Sequence, residues 1–486
     1  MQPVPISRRT FAGECRPVKK VPRVGRTQRY NPAYRAWHAA WRSRHNWQAW
    51  QPFPLRAVYQ QFLPDSGGEI IALIKDSLSH STDIVIFGGG VAGLWLLDRL
   101  HQEGYRAILL ESDALGSGQT IASQGIIHGG LKYALRGSLA GAANVIAAMP
   151  ARWRKCLRGV NRNDNAEAAE NACDPDLSDV TVLSDHYYMW SDSSIRSKLK
   201  TFLGSKSLQG RVEALAKTDY PKFFAAATVD GTLYQLPDFV VDSNSLIDAL
   251  KTKQAEHIFQ LSTDSVEFPR NSSGKVDALT LNLSGQPLTI ETGKILFCAG
   301  EGNQQLIEQA GLNTPSSQLR PLNMVYVKQQ NLPLVYVHCI GDSFSLTPQL
   351  TVTSHRDREG TDVWYLGGEL AESGVGKSDE EQIAAARSLT NALFPWVDLA
   401  TADWHCLRIN RAEANINNSY RPDDAFLIEE DNIVVCWPTK LTLTPSLADK
   451  IVELLKSSPI NTTDQEPAEN LNALLKRAPI ASAPWD

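Results

Sequence analysis

A run of three glycines opens the most informative motif of the chain, GGGVAG at Gly88–Gly93. It fits the pattern G-x-G-x-x-G, whose three glycines have separate tasks in dinucleotide-binding proteins. Gly88 permits a tight turn, Gly90 lets the backbone approach a pyrophosphate, and Gly93 lets a helix pack closely on a strand. The motif therefore predicts a dinucleotide site.

The elements around this motif follow the order that such a site needs. Asp83–Phe87 is typical of a buried strand, and the apolar spacing predicts a helix over Val91–Gln102. Val91 and Ala92 would begin that helix, whose amino end attracts phosphate oxygens. A second strand ends at Glu111, 18 residues after the motif, where a carboxylate accepts from ribose hydroxyls and repels a 2′-phosphate.

Three later blocks extend the pattern. Residues 116–133 read GSGQTIASQGIIHGGLKY, a loop rich in glycine and hydroxyl groups where a plain NAD-binding fold would soon begin its next helix. A strand at 295–300 ends in Ala299-Gly300, and the block TKLT at 439–442 separates a strand from the closing helix. With the glycine motif, these blocks resemble the FAD-dependent oxidoreductases of the D-amino-acid oxidase and FAD-linked glycerol-3-phosphate dehydrogenase superfamily.

The resemblance spans residues 81–457 and implies FAD as the cofactor. It implies contacts to FAD from the motif blocks and the residues beside them: Gly88, Gly90, Val91, Ala92, Gly93, Glu111, Ser112, Thr120, Ser123, Gly125, Ala299, Gly300, Thr439, Lys440 and Leu441.

The same resemblance implies a substrate side. Lys132, Tyr133 and Lys440 would border the substrate, and His128 would act either as a base or only through a backbone hydrogen bond in a tight loop. For the residue that binds the substrate anion we favour Arg411 over two other candidates, Arg408 and Arg421.

This chain departs from the family pattern at two positions. Pro438-Thr439 stands where the family has Gly-Gly, so the backbone must approach the flavin differently. Lys132 replaces an arginine, and an ammonium binds an oxyanion as a point charge rather than as a planar fork. Both changes weaken the inference that this protein shares the family's phosphate-ester substrate. Neither change affects the prediction of FAD.

Other reactive residues have ordinary structural interpretations. We expect His338 and His355 to be structural, and Cys298 to be too buried for a redox role. Asp242 is expected to cap a helix rather than to serve as an acid catalyst. Tyr365 would either point into the pocket or pack in a sheet, and the alternation of its strand leaves both open. The sequence contains no zinc-binding pattern, and we expect no metal.

The order of the elements predicts an α/β protein in which a Rossmann-like FAD-binding domain is interleaved with a mostly antiparallel α+β substrate domain. We assign 81–178, 228–312 and 405–460 to the discontinuous FAD-binding domain, and 179–227 and 313–404 to the substrate or cap domain. Residues 461–486 would form a C-terminal helix and tail.

Residues 1–80 differ from the rest of the chain. The first sixty hold twelve Arg or Lys against one acid, although the whole chain has a formal net charge of −5. Four of the twelve tryptophans fall within 37–50. We interpret 1–80 as a poorly ordered basic extension, with a membrane-surface anchor as an alternative.

Composition indicates the cellular compartment and the classes of partner. Seven scattered cysteines favour a reducing compartment, and no apolar run is long enough to predict a membrane-spanning helix. We expect a cytoplasmic protein, and peripheral contact with the inner face of a membrane if a quinone is the electron acceptor. An acidic globular part gives no reason to expect nucleic acid.

The leading hypothesis is an FAD-dependent dehydrogenase that oxidises a small anionic substrate, most like glycerol-3-phosphate dehydrogenase. Electrons would pass to a quinone, a carrier protein or oxygen. The alternatives are an amino-acid or 2-hydroxy-acid oxidase of the same fold, a flavoprotein acting on tRNA through the basic arm, a flavin-binding protein without turnover, and an NAD-dependent dehydrogenase. The 116–133 loop disfavours the last of these.

Overall fold

The computed structural model describes residues 78–130, 140–159, 174–192, 212–262, 265–283, 286–341, 348–416, 422–460 and 469–486. Its strands are β1 Leu78–Phe87, β2 Ala107–Glu111, β3 Ile126–Ile127, β4 Val182–Ser184, β5 Tyr187–Asp192, β6 Glu213–Ala214, β7 Gly231–Leu236, β8 Phe239–Val241, β9 Ile258–Gln260, β10 Val266–Glu267, β11 Ala278–Leu283, β12 Gln286–Phe297, β13 Ser317–Lys328, β14 Val337–Ile340, β15 Leu350–Arg356, β16 Asp362–Gly367, β17 Asp403–Ala414, β18 Phe426–Glu430 and β19 Ile433–Trp437. Its α-helices are α1 Val91–Gln102, α2 Ala140–Leu157, α3 Lys222–Ala225, α4 Ser243–Gln254, α5 Asn303–Gln309, α6 Glu369–Ser373, α7 Asp379–Leu393, α8 Thr444–Ser457 and α9 Glu469–Asn472.

The first sheet has the order β10-β11-β12-β1-β2-β9, with β19 beside β12 and β18 beside β19. Strands β19, β12, β1, β2 and β9 run parallel to one another. Alternation along β1 explains why both faces are covered: Ile84 and Ile86 belong to the core under helices α1, α4 and α8, and Val85 and Phe87 to the core on the other side. This is the Rossmann-like sheet that the sequence predicts.

The second sheet has the order β17-β13-β16-β15-β14-β5-β7-β6. Its pairs are antiparallel except for β14 with β5. A third, small sheet has the order β3-β8-β4. The prediction of a mostly antiparallel substrate region is confirmed.

Helix α1 has the predicted bounds, and α4 begins directly after its predicted cap. Helix α1 begins at Val91 directly after the glycine turn, and α4 begins at Ser243. Asp242 caps α4, because its Oδ2 accepts a hydrogen bond from the backbone N–H of Ser245 at 2.7 Å. The interpretation of Asp242 as a cap is therefore confirmed.

Two strand predictions need correction. β1 begins at Leu78 rather than Asp83, because its first residues already pair with β12, so the last three residues of the predicted 1–80 extension belong to a strand. β12 begins at Gln286, well before the strand that the sequence predicts at 295–300. It continues because Thr292 and Lys294 keep their pairing with β1.

The predicted domain boundaries also differ from the sheets. β7 and most of β17 fall in ranges assigned to the FAD-binding domain, yet they pair with β5 and β13 in the second sheet. β4, assigned to the substrate domain, pairs with β8 in the small sheet. The sequence pattern identifies these segments as strands, but a strand pattern carries no information about its partner.

Two negative findings concern the described part of the chain. None of its helices is long and apolar enough to cross a membrane. Nor does it contain a group of three or more His, Cys, Asp or Glu side chains that could hold a metal ion.

Candidate active site

A cavity of about 780 Å³ opens where the carboxyl ends of the parallel strands face the second sheet. Phe87, Glu111 and Trp437, the last residues of β1, β2 and β19, line one side. Met324 of β13 and His338 of β14 line the other. Its size suits a cofactor, and the crevice outside the carboxyl ends of such strands is where nucleotides bind in α/β folds.

The glycine motif shapes the first wall. Gly88 has a φ of +105°, and a Cβ there would meet the backbone of Ala299 at 2.6 Å. A Cβ on Gly93 would stand 2.0 Å from the carbonyl oxygen of Gly88. Gly90, Val91 and Ala92 line the cavity, so the amino end of α1 faces it with its partial positive charge. Glycine is thus required at 88 for the turn and at 93 for packing.

Glu111 and Thr120 hold this turn from the side. The Glu111 carboxylate accepts from the backbone N–H of Gly89 at 2.5 Å and of Asp113 at 2.8 Å. Thr120 Oγ1 accepts from the N–H of Val91 at 3.1 Å. Each Glu111 oxygen has two lone pairs, so the carboxylate keeps acceptor capacity toward the cavity that it lines.

The Ala299-Gly300 block lies directly beside the glycine turn, because it follows β12, the strand that pairs with β1. Asn303 joins it to β19, because its Oδ1 accepts from Ala299 N–H at 2.8 Å and its Nδ2 donates to the Cys436 carbonyl at 3.2 Å. Cys298 Sγ lies 3.2 Å from Cys436 Sγ, and this hydrogen bond together with burial raises the pKa of Cys298 well above its ordinary value. A high thiol pKa leaves little thiolate, as the sequence interpretation of Cys298 expects.

The block at 438–441 closes the same wall. Thr439 adopts a φ of +60°, the left-handed conformation, at a position where the resembling family has glycine. Its Oγ1 donates to the Asp424 carbonyl at 3.3 Å, and Lys440 Nζ donates to the Asp423 carbonyl at 3.1 Å. The backbone therefore keeps a glycine-like turn, but a β-branched residue occupies it at a steric cost.

We expect Thr439→Asn to stabilise the FAD-free protein by about 1 kcal/mol, because asparagine tolerates the left-handed region far better than threonine. Urea unfolding of the two proteins at one pH measures the difference. Asn432→Ala, in the turn between β18 and β19, removes the hydrogen bond that Nδ2 donates to the Val276 carbonyl; it is the contrasting variant and should lower stability. Equal or lower stability of Thr439→Asn would mean that the threonine side chain contributes more than the strain costs.

Two arginines of β17 reach the cavity. Arg408 Nη2 lies 2.5 Å from Asp379 Oδ1 in a tight ion pair. Arg411 meets Glu372 Oε1 at 3.4 Å through both terminal nitrogens, longer than the ~2.8 Å of a strong charge-assisted bond. Both arginines and Glu372 line the cavity. The looser pair makes Arg411 the better candidate to exchange its partner for a substrate anion.

Other predicted substrate-side residues have different outcomes. Lys132, Tyr133 and Arg421 lie outside the described residues. His128 does not line the cavity; its carbonyl accepts from Thr442 Oγ1 at 3.1 Å, which fits its alternative interpretation as a loop residue held through its backbone. Tyr365 is buried in the second sheet and donates to the Ala122 carbonyl at 2.9 Å, so it packs rather than points into the cavity.

The loop that begins at His128 rests on a buried carboxyl group. Asp238 Oδ1 accepts from the N–H of Gly129 at 2.8 Å. Burial raises the pKa of Asp238 to about 7, although the hydrogen bond from Gly129 acts to lower it. The folded protein therefore holds a proton on Asp238 at a pH where an unfolded chain, with an aspartate pKa near 3.8, has lost it.

This difference predicts how stability depends on pH. Between pH 4 and 7 the folded state binds more protons at Asp238, so its contribution to stability is lost as pH rises, by up to ~1.4 kcal/mol per pH unit. Asp238→Asn keeps the acceptor for Gly129 and removes the titration. We expect the variant to gain more stability relative to the wild type at pH 8 than at pH 5, by chemical unfolding at both values. An equal difference at the two pH values would contradict the assignment.

Most of the opposite wall of the cavity has no signal in the sequence. It includes His338, for which the sequence favours a structural role, and further residues that no motif marks: Gln124, Leu322, Met324, Thr351 and Glu372. His338 Nδ1 lies 3.2 Å from Thr351 Oγ1. Gln124 Nε2 donates to the Tyr365 carbonyl at 2.9 Å. The strand order of the second sheet brings together the residues of β13, β14 and β15, which are Leu322, Met324, His338 and Thr351. Gln124 comes from the loop before β3, and Glu372 comes from α6.

His355, by contrast, agrees with its structural interpretation. It is not among the residues that line the cavity, and its Nε2 lies 2.9 Å from Thr353 Oγ1. Burial lowers the pKa of its imidazole to about 3, so the ring stays neutral. A neutral, enclosed imidazole is suited to packing.

Most of the predicted cofactor-binding residues lie together. The cavity lining includes Gly88, Gly90, Val91, Ala92, Glu111, Ser112, Thr120, Ser123, Ala299, Gly300, Thr439, Lys440 and Leu441. Gly93 and Gly125 do not line it, because each packs against a backbone carbonyl, that of Gly88 or Val241. The arrangement fits FAD: an open helix end for a pyrophosphate, a carboxylate for a ribose, and a second wall for a substrate beside the ring.

Comparison with known proteins agrees with this geometry. The family model "FAD dependent oxidoreductase" matches residues 83–454. The probable FAD-dependent oxidoreductase PA4991 of Pseudomonas aeruginosa is 39% identical over 407 residues, which cover 84% of this chain and 98% of that protein. Its crystal structure superposes with a TM-score of 0.69.

More distant solved structures share the fold. L-α-glycerophosphate oxidase from Mycoplasma pneumoniae with FAD bound is 14% identical and has a TM-score of 0.55, covering 84% of this chain and all of that one. Glycine oxidase from Geobacillus kaustophilus is 16% identical, with a TM-score of 0.54, and 83% of this chain and all of that one are covered. With the matches to the family model and to PA4991, this chain belongs to the DAO family of FAD-dependent oxidoreductases.

Proposed function

We propose that this FAD-dependent oxidoreductase dehydrogenates a small substrate that carries an anionic group, with Arg411 as the residue that binds the anion. The observation that carries the proposal is the presence of Arg411 and the glycine motif on the same cavity. When bound, FAD accepts the hydride from the substrate carbon. The chain itself would bind the anion, hold the carbon toward the cofactor and exclude water.

We propose the same roles for the cofactor-side residues that the sequence analysis named. The amino end of α1, at Gly90 and Val91, would hold the pyrophosphate, and Glu111 the adenosine ribose. Lys440 would add positive charge beside the ring, since it lines the cavity and its Nζ donates to the Asp423 carbonyl.

The charges of the substrate wall bear on the choice between substrates. Glycerol 3-phosphate, the substrate of the proteins that the motifs most resemble, brings nearly two negative charges. Glu372 lies against Arg411, and Glu301, which accepts from Asn410 at 3.1 Å, also lines the cavity. These carboxylates would oppose a phosphate ester and suit an amine beside a single carboxylate. An amino acid is therefore the second candidate substrate.

An absorbance scan followed by anaerobic additions tests the proposal. Glycerol 3-phosphate, lactate and single amino acids are added one at a time to the purified protein, and loss of the blue absorbance band of the flavin reports its reduction. Bleaching by one compound would name the substrate. A protein that dithionite bleaches, but that no anionic alcohol or amine bleaches, would overturn the proposal in favour of a flavin-binding protein without turnover.

A further inference from the structure

Residues 475–486, which we call the strap, cross from the first sheet to the second. At one end the N–H of Gln260, in β9, donates to the Lys476 carbonyl at 2.7 Å. At the other, Trp485 is buried against Tyr365 and His355, with ring centroids 5.3 Å and 4.5 Å apart. The strap therefore contacts both elements that face each other across the cavity.

The strap also holds the start of the loop that follows β2. Leu115 N–H donates to the Pro479 carbonyl at 2.7 Å, and Ala481 N–H donates back to the Leu115 carbonyl at 3.0 Å. Leu115 is fully buried, and its side chain lies so near Gly89 that a Cβ there would come within 2.4 Å of it. The next residue, Gly116, donates to the Gly89 carbonyl at 2.8 Å. By holding Leu115 in place, the strap therefore also stabilises the glycine turn.

The far end of the same loop is held indirectly. Trp485 packs on the ring of Tyr365, whose hydroxyl donates to the Ala122 carbonyl at 2.9 Å. Ala122 lines the cavity two residues after Thr120, which caps the N–H of Val91 at the amino end of α1. The strap therefore fixes both ends of the segment 115–122, directly at Leu115 and through Tyr365 at Ala122.

Polar contacts also hold the last residues of the strap, 482–486, against the second sheet. Lys328 Nζ donates to the Trp485 carbonyl at 2.9 Å. Arg358 Nε lies 3.0 Å from Asp486 Oδ2, and its Nη2 donates to Ser482 Oγ at 3.1 Å. Trp485 itself is only 6% exposed, so the ring is a built part of the second sheet's core. These contacts give Trp485 one defined position.

We propose that the strap is a cofactor-retaining clamp, in which Trp485 is a positioning residue that acts through Tyr365 and the 115–122 segment. The clamp holds that segment in the conformation in which Thr120 and the glycine turn face the FAD pyrophosphate. Loss of the Trp485 ring frees Tyr365 to move, and the loop then samples conformations that do not bind FAD, which reduces the apparent affinity by the fraction of competent protein.

FAD affinity of Trp485→Ala tests the clamp independently of any substrate. We expect the dissociation constant for FAD, measured by the fluorescence of released flavin, to rise about tenfold, and Trp485→Phe to restore most of the affinity. Leu474→Ala is the matched control, because Leu474 lies just before the strap and is 38% exposed. It should bind FAD as the wild type does.

The rise in melting temperature on FAD binding distinguishes a role of Trp485 in positioning the FAD site from a role in overall stability only. If Trp485 has only a structural role, Trp485→Ala should lower the melting temperatures of the FAD-free and FAD-loaded proteins equally. If the strap is a clamp, Trp485→Ala should reduce the difference between these two melting temperatures. If Trp485→Ala does not fold, Arg358→Gln, which loosens the strap at an exposed side chain, should show the same loss in smaller measure. An unchanged FAD increment and dissociation constant in the variants that fold would overturn the proposal.

Discussion

Gly93→Ala is expected to yield a protein that purifies without bound flavin and is destabilised by about 3 kcal/mol. The new Cβ would stand 2.0 Å from the Gly88 carbonyl oxygen, a contact between two backbone segments that no side-chain rotation can relieve. Helix α1 must then shift away from β1, which moves its amino end out of register with the cavity. Flavin absorbance of the purified protein and chemical unfolding measure the two effects.

Gly376→Ala provides the matched control for this prediction. Gly376 is exposed between α6 and α7, and a Cβ there would meet nothing within 4 Å. The control should retain flavin and unfold at the wild-type denaturant concentration. A Gly93→Ala protein that keeps its yellow colour and its stability would show that the helix can move without loss of the site.

Arg411→Met is expected to lower kcat/KM for the substrate by roughly a hundredfold, while the protein keeps its FAD. Methionine preserves the length of the side chain but removes the charge and the donors that would bind the anion. Because the lost interaction involves the anion rather than the reacting carbon, most of the effect should appear in KM. Steady-state kinetics with whichever compound bleaches the flavin provides the measurement.

Two further variants sharpen this test. Arg356→Met removes an exposed arginine of β15 that pairs with Asp362 and does not line the cavity, and it should leave the kinetics unchanged. Arg408→Met removes the other cavity arginine, already paired tightly with Asp379. A large loss with Arg408→Met and none with Arg411→Met would transfer the anion-binding role to Arg408.

The cofactor half of the cavity is predictable from sequence because its residues come in short local motifs. Gly88–Gly93 and Glu111 are separated by one helix and one strand, and each glycine has a local geometric reason to be glycine. The helix cap at Asp242 and the bounds of α1 follow from the same kind of short-range rule. Such rules need no knowledge of which strands pair.

The substrate half of the cavity cannot be predicted from short motifs in this way. His338 and Met324 reach the cavity because β14 and β13 occupy particular positions in a sheet assembled from strands far apart in the chain. Alternation tells which residues share a face, but it does not tell which face meets the first sheet. The sequence alone therefore favours a structural role for His338 and gives no sign that the strap contacts both sheets.

The long-range pairing of β1 with β12 has a consequence for how the holoenzyme forms. Phe87, at the end of β1, pairs with Phe297, more than two hundred residues later, and the lining of the cavity runs on to Leu441. Such non-local contacts close slowly, since a long intervening loop must be ordered first. A chain emerging from the ribosome therefore cannot offer a complete FAD site until Leu441 has been synthesised, and we expect flavin capture to be a late event that follows translation rather than a nucleus around which the protein folds.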